Sequence, residues 1–176
     1  MGGEDEILIN VTPGETRVAV LEQGVLQDLY VERAARRGLV GNVYRGRVGR
    51  VLPGMQAAFV DIGLARTAFL HADDVAPPPG SAAAPGVPPP IRTLLNEGDP
   101  VLVQVRKDPL GTKGARVSTW ITVPSRYLVL LPGDPTVGVS ALITDEAERE
   151  RLRTVVAGLV AGTGDGCIVR TAAEGV

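Results

Sequence analysis

The chain opens on short apolar, β-branched runs separated by turn residues. Ile7-Leu8-Ile9-Asn10-Val11 leads into Thr12-Pro13-Gly14-Glu15, where Pro and Gly stand at turn-favoured places. Arg17 to Glu22 alternates again, Gln23-Gly24 turns the chain, and Val25 to Val31 gives a third run. This pattern predicts a meander of three short antiparallel strands. Three strands make a thin sheet with two open edges, so the sheet is expected to rest on something else.

Further along, Val43-Tyr44-Arg45-Gly46-Arg47-Val48 has period two, with Val43, Arg45 and Arg47 on one face and Tyr44, Gly46 and Val48 on the other. The turn Leu52-Pro53-Gly54 leads to a run from Gln56 to Gly63, and the bend Leu64-Ala65-Arg66 to another from Thr67 to His71. Strands at such even spacing, with Gly at the bends, predict a small curled barrel. Half of residues 77–90 are proline, so an extended surface loop is expected there, with a PxxP-type docking site as the lesser reading. Ile91 to Asn96 reads as a helical turn, and Pro100 to Arg106 and the stretch from Gly111 to Thr119 as turn and strand. Tyr127 to Leu131 is a strong apolar strand, and Gly166 to Thr171 the last one. Between them, Leu152, Val155, Val156, Leu159 and Val160 follow helical spacing, so 146–160 is an amphipathic helix, with Asp145 and Glu148 at capping-box spacing.

Composition narrows the function. The chain has 176 residues, 18 Lys+Arg against 20 Asp+Glu, and 44% hydrophobic residues, enough for one domain or two small ones. A net charge of −2 excludes a protein held on nucleic acid by its overall charge. Charge is nevertheless uneven: Arg33, Arg36, Arg37, Arg45, Arg47 and Arg50 form a stretch without Asp or Glu. One cysteine makes no internal disulfide, no apolar run is long enough to span a membrane, and the N-terminus is acidic, so a soluble, cytoplasmic protein is expected. Only 3% of residues are aromatic, yet Tyr44, Phe59 and Phe69 fall on three adjacent predicted strands beside the basic stretch. Rings that stack bases beside cations that track the backbone are how oligonucleotide-binding barrels hold single strands. The one His and one Cys, His71 and Cys167, lie far apart and read as a surface ring and a small buried thiol rather than a catalytic pair.

Three runs reach a known family. Gly41-Asn42-Val43-Tyr44-Arg45-Gly46-Arg47-Val48, the stretch from Leu52 to Gly63, and Ala68-Phe69-Leu70-His71 closely resemble the S1-like domain of the ribonuclease E/G family. Ile9 to Ala19 resembles its N-terminal segment; Asp108 to Arg116, Pro124 to Val129 and Val169 to Gly175 resemble its later motifs, with Pro124-Ser125-Arg126-Tyr127 similar to the family's G branch. The resemblance implies a mainly β chain with an α+β part. It would comprise N-terminal strands of an incomplete RNase H-like subdomain (1–37), an S1-like OB-fold barrel (38–116) and a 5′-sensor region (117–176). It implies that Phe59, Phe69 and Lys113 grip RNA, with Tyr44, Arg45 and Arg47 nearby. Arg170 and Thr171 would bind a 5′-terminal monophosphate, Val129 would pack on the terminal base, and Ser125 stands where some members have glycine.

The expected partner is therefore single-stranded RNA, and the expected role is the recognition part of an endoribonuclease of rRNA processing and mRNA turnover. The family's Mg²⁺, held by aspartates in a DNase I-like domain, its CPxC zinc motif and its oligomerising parts are expected to lie outside this sequence, leaving the chain without metal, cofactor or cleavage activity of its own. Two alternatives stay open: an active endoribonuclease with a metal at Asp61 or Asp73-Asp74, and an adaptor working through the proline-rich loop.

Overall fold

The computed structural model of the chain describes residues 5–76 and 89–176, so the proline-rich stretch, apart from Pro89 and Pro90, lies outside the described residues. Contacts divide the chain between Leu39 and Val40 into two units. In the first, β1 (Glu6–Val11), β2 (Glu15–Glu22) and β3 (Val25–Arg33) form the expected antiparallel meander. Gln23 and Gly24, with φ of 53° and 78°, make the two-residue turn whose twist suits a hairpin. Ile7, Ile9 and Val11 are more exposed than buried, as are Leu8 and Leu29 on the other face.

The second unit holds a closed barrel of β4 (Val43–Leu52), β5 (Ala57–Asp61), β6 (Ala68–His71), β7 (Pro100–Lys107) and β8 (Arg116–Ser118), in the order β4-β5-β6-β8-β7, consistent with an OB fold. Only the β6–β8 pair is parallel. β8 carries the barrel two residues past the boundary expected at 116. The short helix α1 (Ile91–Leu94) delivers Ile91 to the interior. Val48, Val60, Leu70, Val103, Val105 and Val117 complete a filled core, each side chain stabilising the fold by about 1.5–3 kcal/mol through burial.

Beyond the barrel, β9 (Val123–Pro124), β10 (Leu128–Leu131), β11 (Val137–Val139) and β12 (Gly166–Val169) form a sheet ordered β11-β12-β10-β9, backed by α2 (Glu146–Val160). Its core joins Ile143, Leu152, Val156, Cys167, Val169 and Ala173. Buried Gln104 ties barrel to sheet region: its amide nitrogen donates to the Gly41 and Thr122 carbonyls and its oxygen accepts from Thr122 N–H.

Several expectations are corrected here. The apolar face of α2 is narrower than its spacing suggests, because Val155 and Leu159 are 51% and 68% exposed. Only half of the capping box forms: Asp145 accepts from Ala147 and Glu148 N–H, but the Glu148 carboxylate turns to Arg151 and the Gly175 N–H. The last strand stops at Val169, and Thr171 begins a 3-10 turn over Thr171–Ala173 instead of extending the ladder. The barrel joins the α+β sheet in one unit, while the basic stretch is divided: Arg33, Arg36 and Arg37 belong to the first unit, Arg45, Arg47 and Arg50 to the second. No helix among the described residues is long and apolar enough to cross a membrane.

Candidate nucleic-acid interface

Phe59 on β5 and Phe69 on β6 are direct cross-strand partners on the outer face of the barrel. Their neighbours along each strand, Ala58, Val60, Ala68 and Leu70, point inward and are fully buried, and this alternation holds the rings outward and half-exposed. The ring centroids are 6.1 Å apart at 67°, an edge-to-face pair. His71, two residues along β6, continues the row, with its ring centroid 6.5 Å from that of Phe69.

Strand register flanks the rings with cations. Arg50 of β4 is the cross-strand partner of Phe59, and Arg116 of β8 that of Phe69. Both are exposed. Arg116 is held in place by Asp74, which accepts from its Nη2 at 2.8 Å and Nε at 3.0 Å. Arg50 has no side-chain partner among the described residues. The sequence marks Arg50 only as one of the basic stretch and Arg116 only as the end of a family motif; their places beside the rings depend on pairing register, which is not written in it.

The other candidates of this surface are distributed by the same alternation. Arg45 is exposed opposite Leu102, and Arg47 opposite Asp61 and Pro100, where its Nη1 donates to the Gly98 carbonyl at 2.9 Å. Tyr44 is separated from them: it sits on the inward register with Gly46 and Val48, opposite fully buried Val103, and its hydroxyl lies 3.4 Å from Asn42 Nδ2. The structure does not bring Tyr44 to the ring face. Lys113 is exposed at the tip of the turn before β8, and its ammonium has no partner among the described residues. That turn is fastened to the ring strand, since Ala115 C=O accepts the Phe69 N–H at 2.8 Å.

A second cluster forms where β10 begins and β11 and β12 end. The Arg170 guanidinium donates through Nη1 to the Ser125 carbonyl at 2.7 Å, and the Arg170 N–H donates to Tyr127 C=O at 2.7 Å. Its other guanidinium N–H groups have no partner among the described residues, and it forms no ion pair with Glu174. Ser125 closes its own turn, donating from its N–H and Oγ to Leu128 C=O. Val129, half-buried on β10, pairs with Ile168 and Pro124. Thr171 lies beside Arg170 with Oγ1 3.2 Å from Ser140 Oγ. Arg170 and Thr171, with Ser140, Ile168, Val169 and Ala172, line a depression of about 280 Å3. Ser140 escaped the sequence reading because the parallel β11–β12 pairing that delivers it has no local signature.

The remaining chemistry-bearing residues are engaged elsewhere. Asp61 accepts from Gly63 N–H, Asp73 lies 3.1 Å from His71 Nδ1, and Asp74 pairs with Arg116. No three acidic, His or Cys side chains cluster for a metal among the described residues. Cys167 is buried, and burial raises its thiol pKa, far from the thiolate a nucleophile requires.

Comparison with known proteins bears on all of this. A family model described as "Ribonuclease E/G family" matches residues 122–176. Ribonuclease G of Salmonella typhimurium and that of Escherichia coli K12 are each 58% identical over 175 residues, covering 97% of this chain and 36% of the relative. Ribonuclease E of Escherichia coli K12 is 37% identical over 172 residues, covering 96% of this chain and 16% of the relative. The chain thus spans about a third of the length of the ribonuclease G relatives. With long identity across both the barrel and the sheet that carries the Arg170 cluster, the chain belongs to the ribonuclease E/G family.

Proposed function

We propose that this chain binds single-stranded RNA on the ring face of its barrel and prefers a 5′-terminal monophosphate at the Arg170 cluster, serving as the recognition part of a cytoplasmic ribonuclease of this family. The observation that carries the reading is the row Arg50–Phe59–Phe69–Arg116, two outward rings bracketed by guanidinium groups across four barrel strands. Each ring offers a stacking face to a base, and the cations on either side suit the phosphates of the same strand. Lys113, Arg45 and Arg47 extend the positive border. A duplex, whose bases are already stacked, has little to offer the rings. Tyr44 contributes through the barrel interior rather than by stacking.

At the second cluster, Ser125 aims the Arg170 guanidinium while leaving most of its donors unspent. A terminal phosphate presents several acceptor oxygens, matching Arg170 and the Thr171 hydroxyl. Val129 supplies apolar surface for the terminal base, and Ser125, engaged with its own turn, keeps its hydroxyl out of the depression. In this reading the metal-assisted hydrolysis implied by the family does not rest on Asp61 or Asp74, which accept from Gly63 N–H and Arg116.

Substitution separates the two surfaces. Phe59→Ala and Phe69→Ala should each weaken binding of a labelled single-stranded RNA by about 5- to 150-fold, the range expected for one lost base stack. Because the rings touch, their combined loss should not equal the product of the single losses. Arg170→Ala should leave ring-face binding in place and abolish the preference for 5′-monophosphate over 5′-hydroxyl ends. Unaltered affinity in both ring variants would refute the stacking surface, and a preference retained without Arg170 would refute the phosphate site.

A further inference from the structure

We propose that Ser140 is a positioning residue of the phosphate cluster: its hydroxyl fixes the Thr171 hydroxyl as a donor toward the bound anion. The inference rests on the 5′-monophosphate reading of that cluster and deepens it. Ser140 does not owe its location to its side chain. Its N–H donates to Val169 C=O at 2.9 Å, and its C=O accepts from Arg149 Nη1 at 2.8 Å, so the backbone is held on both sides.

One donor in the hydroxyl chain cannot reverse, and the bound anion sets the direction of the rest. Leu142 N–H donates to Ser140 Oγ at 3.3 Å, because an amide nitrogen has no acceptor role. Ser140 Oγ is thereby used as an acceptor, and its own proton is available for Thr171 Oγ1, 3.2 Å away. Thr171 then accepts from Ser140 and keeps its own proton for the depression it shares with Arg170. In the opposite arrangement Thr171 would spend its proton on Ser140 and turn lone pairs on the phosphate. Binding an anion therefore selects the order Leu142 N–H to Ser140 to Thr171 to phosphate, each bond polarising the next. Without the Ser140 hydroxyl, Thr171 becomes a rotor that the anion must orient by itself.

The test uses the 176-residue chain and two versions of one single-stranded RNA, ending in 5′-monophosphate or 5′-hydroxyl. Ser140→Ala should lower the ratio of the two affinities by roughly three- to tenfold, the worth of one hydrogen bond in such a chain. Ser140→Thr, which restores a hydroxyl at the same atom, should recover the ratio. In a Thr171→Val background, Ser140→Ala should cost nothing further, because the group through which it acts is gone. Three results would overturn the proposal: an unchanged ratio, an equal loss for both RNAs, or losses that add in the double variant. If the unsubstituted chain shows no monophosphate preference, the reading of the cluster fails together with the role of Ser140. A preference that needs Arg170 and ignores Ser140 overturns the role of Ser140 alone.

Discussion

At the scale of single residues, Lys113 owes its place to the glycine beside it. A Cβ on Gly114 would stand 1.9 Å from the Thr67 carbonyl oxygen, so only glycine lets the turn lie against the start of β6. Leu110 and Lys113 close that turn with paired backbone bonds of 3.2 and 2.9 Å, and Arg66 clamps it by donating to Thr112 C=O. The Lys113 backbone is thereby held two residues from the carbonyl that binds the Phe69 backbone. Lys113→Ala should weaken single-stranded RNA binding and reduce the slope of log affinity against log salt by about 0.7, the share of one phosphate contact. Gly114→Ala should produce a comparable loss although the lysine is still present, because the turn must move. A salt titration followed by anisotropy measures both, and normal binding by Gly114→Ala would show that the placement of Lys113 is immaterial.

The same residues show what the sequence makes legible. Phe59 and Phe69 stand out in a chain with 3% aromatics and are cross-strand partners, whereas Lys113 is marked only by the family resemblance and sits on the turn bonded to the Phe69 strand. Arg50 is marked only as one of the basic stretch, and what hides its place opposite Phe59 is a single irregularity. Strict alternation from Val43 would put Arg50 on the inward face with Val48. The register shift between Val48 and Arg50 skips Gly49 and brings Arg50 outward opposite Phe59. A bulge has no period, so no reading of period finds it.

Among the elements, α2 supports the Arg170 cluster more than its apolar stripe suggests. Arg149 holds the carbonyls of Ser140 and Ile143. Glu148 accepts from Gly175 N–H at 3.0 Å and pairs with Arg151, which also donates to the Val176 carbonyl, so the helix grips the turn that follows Thr171. These contacts, the Arg151 hydrogen bond first and the Gly175 N–H second, lower the Glu148 pKa from 4.5 to about 2. A lowered carboxyl pKa contributes stability that is complete above the unfolded value and lost as pH falls through the folded value. The Glu148 contribution should therefore disappear between about pH 4.5 and pH 2. Glu148→Gln should lower the melting temperature at neutral pH and flatten its dependence on pH across that window. An equally steep decline in the variant would assign the acid sensitivity to other carboxylates. The helix limits, 146–160, were legible from spacing and the Asp145 cap. The diversion of Glu148 out of the capping box was not, since it depends on a partner 27 residues away.

At the scale of the whole molecule, a net charge of −2 means that the proposed RNA binding must come from the arrangement of charge rather than from its total. The second unit carries both the ring row and the Arg170 cluster, joined through Gln104 to Thr122 and through Arg106 to Thr122 and the Trp120 carbonyl. The first unit is a thin sheet with apolar side chains open on both faces, as three strands without a covering layer must be. In the proposed reading, both RNA-contacting surfaces lie within the second unit. The most direct measurement is fluorescence anisotropy of one short labelled single-stranded RNA, prepared with a 5′-monophosphate and with a 5′-hydroxyl, titrated with the unsubstituted chain at fixed moderate salt. The account predicts that both bind and that the monophosphate form binds more tightly. Equal affinity for the two ends would contradict the Arg170 cluster as a phosphate site, and no binding by folded protein would contradict the ring face as an RNA surface.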